Sequence, residues 1–243
     1  FDLYDLERVE VVKGPQSTLF GTAAAVGVVS VITAKPRAGI SGEIRLGYGN
    51  FDQRRIDGHV NIGNDVIALR VAGAIKLRDG VVPNIAGRPG SQTPNGPRID
   101  DLNGQGQYGA RVSVRYTPTA DFTLDLIGTY DGQRAPGTAF SSGTFAPTGG
   151  STSPYSFKEV AGAPDSLATL GLDQPGLERN VYDLNLTASY KIDDAWSVTG
   201  IAGYRNFDSL EVFDADGTQA HYLEFGANAR DKQLSLEGRV SWS

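Results

Sequence analysis

From residue 40 onward apolar and polar side chains alternate strictly, a period of two that fits strands with two chemically different faces and fits no helix. Over Val181 to Tyr190 one face carries Tyr182, Leu184, Leu186, Ala188 and Tyr190, and the other carries Asp183, Asn185, Thr187 and Ser189. The same dyad runs through Arg55 to Gly63, Tyr108 to Tyr116 and Leu234 to Trp242. Eight such strands are predicted, near residues 40–48, 53–63, 66–78, 106–117, 121–131, 179–191, 195–208 and 231–242. They are long beside the roughly 5–6 residues of a typical globular strand. The connections alternate too. Asn64-Asp65, Thr117-Pro118-Thr119-Ala120 and Asp193-Asp194 read as tight turns, whereas 79–105, 132–178 and 209–230 are long, aperiodic and rich in Gly, Pro, Ser and Asn. Only Gly49-Asn50 breaks that sequence of short and long. Long structureless loops are uncommon in a compact domain, but short turns on one side and long loops on the other are the pattern of an outer-membrane barrel.

Aromatic residues sharpen the distinction between a membrane barrel and a soluble sheet. On four strands an aromatic residue recurs eight positions after another: Tyr108 and Tyr116, Phe122 and Tyr130, Tyr182 and Tyr190, Trp196 and Tyr204. Eight residues at about 3.3 Å each span roughly 26 Å along a strand. A tilt of about 40° brings this to roughly 20 Å, near the height of the apolar band between the two aromatic girdles of a membrane barrel. The residues between the pairs on that face are small or aliphatic and uncharged, as in Ala110, Val112 and Val114 or Leu184, Leu186 and Ala188. A large soluble β-sandwich is the rival reading of the strands alone.

Composition changes the picture in three places. Lys+Arg 22 against Asp+Glu 28 leave a net charge of −6, without the basic field of a nucleic-acid-binding domain. The absence of cysteine excludes disulfides and thiolate metal sites within the 243 residues. Mean hydropathy is −0.25 and no apolar run reaches the roughly 20 residues of a transmembrane helix. A membrane barrel produces that average because its lipid-facing and lumen-facing residues alternate. With no methionine and a start at Phe1, the chain is expected to be a window on a longer protein.

Residues 1–36 follow another pattern. Val9 to Lys13 reads as a short strand, Gly14-Pro15 breaks it, Ser17 to Gly21 reads as a helical turn and Val28 to Thr33 as a second strand. The run Asp5-Leu6-Glu7-Arg8-Val9-Glu10-Val11-Val12-Lys13-Gly14-Pro15-Gln16-Ser17-Thr18-Leu19-Phe20-Gly21, followed by Gly27-Val28-Val29-Ser30-Val31-Ile32-Thr33, resembles the end of the plug domain of TonB-dependent outer-membrane receptors. Phe20, Thr22, Val26 and Ser30 depart from the residues usual in that pattern. The resemblance implies a mainly β fold, with 1–36 as the C-terminal part of a plug, a small α+β remnant, and 37–243 as the N-terminal part of a plugged antiparallel transmembrane β-barrel. Barrels that hold a plug have about 22 strands, so the eight predicted here form an open piece of one. Its exposed edges predict that it would not fold as a stable monomer in water.

The resemblance also implies function. The expected whole is a Gram-negative outer-membrane receptor and no enzyme, taking up a scarce solute with energy delivered by TonB and its inner-membrane complex. An iron–siderophore complex is the default solute, and cobalamin or a glycan fragment are alternatives within the family. A passive porin or adhesin barrel is the rival from outside it. Outer-membrane lipid and lipopolysaccharide would surround the wall, and the segment touching TonB would precede Phe1. No cofactor, metal or nucleic acid is called for. The motif residues Glu7, Arg8, Glu10, Lys13, Gly14, Pro15, Leu19, Gly21 and Gly27 are the candidate plug contacts, with Gly14 and Gly21 serving backbone geometry. Glu43, Arg45, Arg111, Arg115, Glu237 and Arg239 are candidate partners on lumen faces of the wall. Phe140, Phe145, Tyr155, Phe157 and Tyr222 are candidate ligand contacts in the long loops. Gly104 to Gly109 matches G-x-G-x-x-G but leads into a strand, so no nucleotide site is read there. Asp214 to Gly217 lacks the later glutamate of a calcium loop.

Overall fold

The computed structural model of the chain describes residues 3–15, 26–84, 89, 100–136, 175–215 and 224–242. Among the described residues there are ten strands and no helix. The first two, β1 (Leu6–Lys13) and β2 (Gly27–Thr33), form an antiparallel pair of their own. The other eight are β3 (Gly39–Gly49), β4 (Gln53–Gly63), β5 (Ile67–Arg78), β6 (Gln105–Thr119), β7 (Phe122–Pro136), β8 (Gly176–Lys191), β9 (Trp196–Asp214) and β10 (Glu224–Trp242). They lie side by side in chain order in one antiparallel sheet, with β3 and β10 as its edges. The helical turn expected at 17–21 falls outside the described residues.

The tight turns close through side chains that stand in for backbone acceptors. Asn64 Oδ1 accepts from the amides of Val66 (2.9 Å) and Ile67 (2.8 Å), and Asp193 Oδ1 accepts from Ala195 and Trp196 (both 2.8 Å). Both are Asx turns of the kind these residues favour. The turn expected at 117–120 is shorter than predicted. β6 runs on to Thr119, and its ladder with β7 shifts between Tyr116 and Thr119, where Pro118 has no amide hydrogen to give. On the long-loop side the strands extend further than the alternation indicates: β7 reaches Pro136, β9 reaches Asp214 and β10 begins at Glu224.

Register sorts the two faces. Across β6, β7, β8 and β9, Val112, Gly128, Leu184 and Tyr204 are successive cross-strand partners, and Val114, Leu126, Leu186 and Ala202 form the next row. This apolar face is bare: Ile44, Leu46, Val60, Val112, Leu184, Leu236 and Val240 are all exposed. A contiguous apolar face of this extent needs a partner phase. At the short-turn end Phe122 pairs with Tyr190, and Trp196 pairs with Trp242. At the other end the rings of Tyr130 and Tyr182 lie 5.1 Å apart. The two aromatic rows therefore bound the apolar band as the eight-residue spacing predicts. No described helix is long and apolar enough to cross a membrane, which says nothing of strands.

The opposite face is polar, and several of its charges are matched by a neighbour on the sheet: Arg55 with Asp57 (2.7 Å), Arg115 with Asp125 (2.7 Å), Arg179 with Asp131 (3.2 Å) and Arg205 with Asp183 (2.6 Å). The strand pair lies against this face.

Candidate functional site

The first turn of chain before β1 carries the densest set of contacts between the strand pair and the sheet. Asp5 adopts a positive φ of 51°, a left-handed conformation that short Asp side chains tolerate better than most. Its side chain is only 5% exposed. Arg70 of β5 binds it in a two-pronged fork, with Nε 2.9 Å from Oδ2 and Nη2 against Oδ1. Arg111 of β6 donates to Asp5 Oδ2 (3.2 Å) and to the carbonyls of Tyr4 (3.1 Å) and Asp5 (2.9 Å). His59 of β4 stands with Nδ1 3.4 Å from Oδ1. Both guanidinium side chains are 7% exposed. Burial alone would raise the Asp5 carboxyl, but the hydrogen bonds and charges of Arg70 and Arg111 outweigh it and hold its pKa below the usual aspartate value. Forked arginine–carboxylate pairs are among the strongest side-chain hydrogen bonds. Removing one partner of such a buried pair costs about 3–5 kcal/mol, because the other charge is left uncompensated.

Tyr4 keys the same contact. It is buried with Ala72 and Ala74 of β5, and its ring has the Arg111 guanidinium carbon 5.0 Å from its centroid, within cation–π range. Gly109 of β6 makes the space. A Cβ there would stand 2.6 Å from the ring, closer than packed atoms allow. Tyr4, in the segment leading into β1, thus rests on a floor of small residues, Ala72, Ala74 and Gly109, beside Arg70 and Arg111. A cavity of about 320 Å³ beside it is lined by Leu3, Asp5, Leu6, Glu43, Arg45, Asp57, His59 and Arg70.

The candidate residues read from the motif fall around this contact rather than in it. Arg8 is joined to its strand neighbours Glu7 (2.5 Å) and Glu10 (2.6 Å), and Glu7 adds a longer-range attraction to Arg115 on the wall. Lys13 ends β1 opposite Gly27, at the far end of the pair. Gly14 has a φ of +89° and gives its amide to Val26 (3.1 Å), and exposed Pro15 follows it. A Cβ on Gly27 would lie 2.6 Å from the Val12 carbonyl, so that position needs glycine for close approach. Leu19 and Gly21 lie outside the described residues. On the wall, Glu43 pairs with Arg45 (2.6 Å), Arg115 with Asp125, and Glu237 with Arg239; only Arg111 among these candidates bonds the strand pair. Phe140, Phe145, Tyr155, Phe157 and Tyr222 lie outside the described residues. So do most of the loops that carry them.

Comparison with known proteins agrees with this architecture. The ferrioxamine B receptor of Salmonella typhimurium is 34% identical over 82 residues, covering 32% of this chain and 12% of that protein. A probable TonB-dependent receptor, BfrD of Bordetella pertussis, is 38% identical over 72 residues, covering 29% of this chain and 10% of its own length. The crystal structure of the ferric yersiniabactin uptake receptor FyuA from Yersinia pestis superimposes over 98% of this chain and 33% of its own, with a TM-score of 0.72 at 20% identity. The chain shares its fold with FyuA over nearly its whole length and is similar in sequence to outer-membrane siderophore receptors over about a third of it. No family model matches it. The matched part is a small share of each curated relative, about an eighth of the ferrioxamine B receptor.

The residues that hold the strand pair include four that were not among the candidates from sequence: Asp5, His59, Arg70 and Tyr4. One signal was available. Arg70 sits among Ala68, Ala72 and Ala74 on the polar face of β5, and a large cation flanked by the smallest side chains marks a place where another segment comes close.

Proposed function

We propose that the chain is the junction of plug and wall in an outer-membrane receptor that takes up a scarce solute, with an iron–siderophore complex as the solute class. Residues 1–36 are the end of the plug and 37–243 the first eight strands of the barrel. The observation that carries this reading is the Asp5 contact, a buried charged join between a two-stranded unit and the polar face of a sheet whose other face is an apolar band between aromatic rows. A passive porin or adhesin wall has no use for a separate strand pair clamped inside it. TonB with its inner-membrane complex supplies the energy in this reading, and lipid and lipopolysaccharide cover the apolar face. Glu7, Arg8, Glu10 and Lys13 then act as the charged flank of the plug strand, and the loop aromatics as solute contacts.

The test is uptake by the full-length receptor, expressed in a Gram-negative strain deprived of its own siderophore receptors. Radioiron supplied as ferrioxamine B and as a ferric catecholate is expected to accumulate with at least one of them, and only while TonB is present. Accumulation that persists without TonB, or with neither carrier, would refute the reading.

A further inference from the structure

Two stretches of chain connect the strand pair to the rest of the molecule, residues 4–5 leading into β1 and 34–39 leading out of β2. They are bonded to each other, with the Ala34 amide donating to the Asp5 carbonyl at 3.0 Å. Both are fastened to β4, and the first also to β5 and β6. The first meets His59 of β4, Arg70 of β5 and Arg111 of β6. The second is pinned by Asn61 of β4, which is fully buried, exchanges hydrogen bonds with the Arg37 backbone and donates to the Gly39 carbonyl.

Charge pairing sets this patch apart from the rest of the polar face. Arg45, Arg55, Arg115, Arg179 and Arg205 each pair with an acid on the wall itself. The ion pairs of Arg70 and Arg111 both run to Asp5 of the strand pair. The wall is thus electrostatically complete everywhere along this set except where the strand pair sits. Arg111 also bonds two main-chain carbonyls, so it holds the backbone of the incoming segment as well as its side chain. Lifting the segment away would strand both guanidiniums, bare the floor of Ala72 and Ala74, and remove Tyr4 from the space over Gly109.

We infer that the root of the strand pair is a fixed seat: Tyr4 and Asp5 stay on β4–β6 throughout transport, and the solute passes on another side of the plug. Asp5 is the positioning residue of that seat. This inference rests on the uptake reading for its setting, and its test is separable from that reading.

The test uses the full-length receptor carrying Ala72→Cys, a small change on the floor beneath Tyr4; the 243 residues hold no other cysteine. Cells are treated with a water-soluble maleimide in the presence of ferric ferrioxamine B, with and without TonB. A fixed seat predicts the same slow labelling in both. It also predicts that adding Asp5→Ala raises the rate roughly tenfold or more, as expected when a buried ion pair is broken, and that Asp5→Glu restores part of the protection. Faster labelling with TonB than without would overturn the fixed seat. Unchanged labelling with Asp5→Ala would overturn the role of Asp5. Ala74→Cys reports the same floor if the first variant does not reach the membrane. Radioiron uptake by the unaltered receptor is scored separately, so failure of the uptake reading leaves the Asp5→Ala comparison readable.

Discussion

Asn61 holds Arg37 by two reciprocal hydrogen bonds, its Nδ2 donating to the Arg37 carbonyl (2.9 Å) and its Oδ1 accepting from the Arg37 amide (3.1 Å). A side-chain amide here completes the backbone of a connecting segment as a neighbouring strand would. The same Nδ2 also reaches the Gly39 carbonyl at 3.2 Å, so the join between strand pair and sheet is closed by one buried residue. Asn61→Ala leaves those backbone groups without their partner, and the penalty for such groups is about 1–3 kcal/mol. Urea unfolding of the refolded full-length receptor is expected to show that loss, with an unchanged denaturant slope.

The Asp5 carboxyl makes the seat sensitive to acid. Its pKa is lowered in the folded state, so its contribution is complete above the unfolded value near 3.9 and is lost as pH falls through the lower folded value. Unfolding midpoints measured between about pH 5 and pH 2 should therefore fall further for the native receptor than for Asp5→Asn. Equal slopes for the two proteins would remove Asp5 from the account of the seat.

Gly109 is required by the ring above it. Gly109→Ala places a Cβ against Tyr4 and should destabilise the receptor by about 1–3 kcal/mol, the usual range for overpacking a close contact. Combining it with Tyr4→Ala should recover much of that loss. The double variant is read against both single variants by unfolding, so the coupling itself is measured.

The two faces of the sheet predict opposite responses to the same substitution. Leu186 and Asn185 are neighbours on β8 that point to the apolar and the polar face respectively. Leu186→Arg should cost about 2–4 kcal/mol when the receptor folds into bilayers. Asn185→Arg should change stability by about 0.5 kcal/mol or less. Refolding into phosphatidylcholine vesicles across a urea series distinguishes them.

Alternation and aromatic spacing made the eight strands and their sidedness legible from the residues, because lipid on one face and water on the other impose opposite chemistry at successive positions. The strand ends on the long-loop side were less legible. In Asn206 to Asp214 both faces carry polar side chains, as at Asn206, Asp208, Ser209 and Glu211, so the ladder continues where the pattern stops. The charges of β1 illustrate another limit. Residues i and i+2 share a face of a strand, and Arg8–Glu10, Glu43–Arg45 and Glu237–Arg239 all close locally. Wall partners offered to Arg8 from sequence are thus already occupied. Asp5 was hidden because its partners are 65 and 106 residues away, and only the register of β5 against β6 brings Arg70 and Arg111 to one place.

The most direct measurement is a cysteine scan along β9 of the full-length receptor in bilayers, each single thiol carrying an environment-sensitive fluorophore and each sample prepared with and without quenchers on the lipid chains. The account predicts a period of two: quenching at Val198, Gly200 and Ala202, and none at Ser197, Thr199, Ile201 and Gly203, which should instead respond to a water-soluble quencher. Uniform quenching, or quenching by lipid at the second set, would contradict a wall with lipid on one face and a seated strand pair on the other.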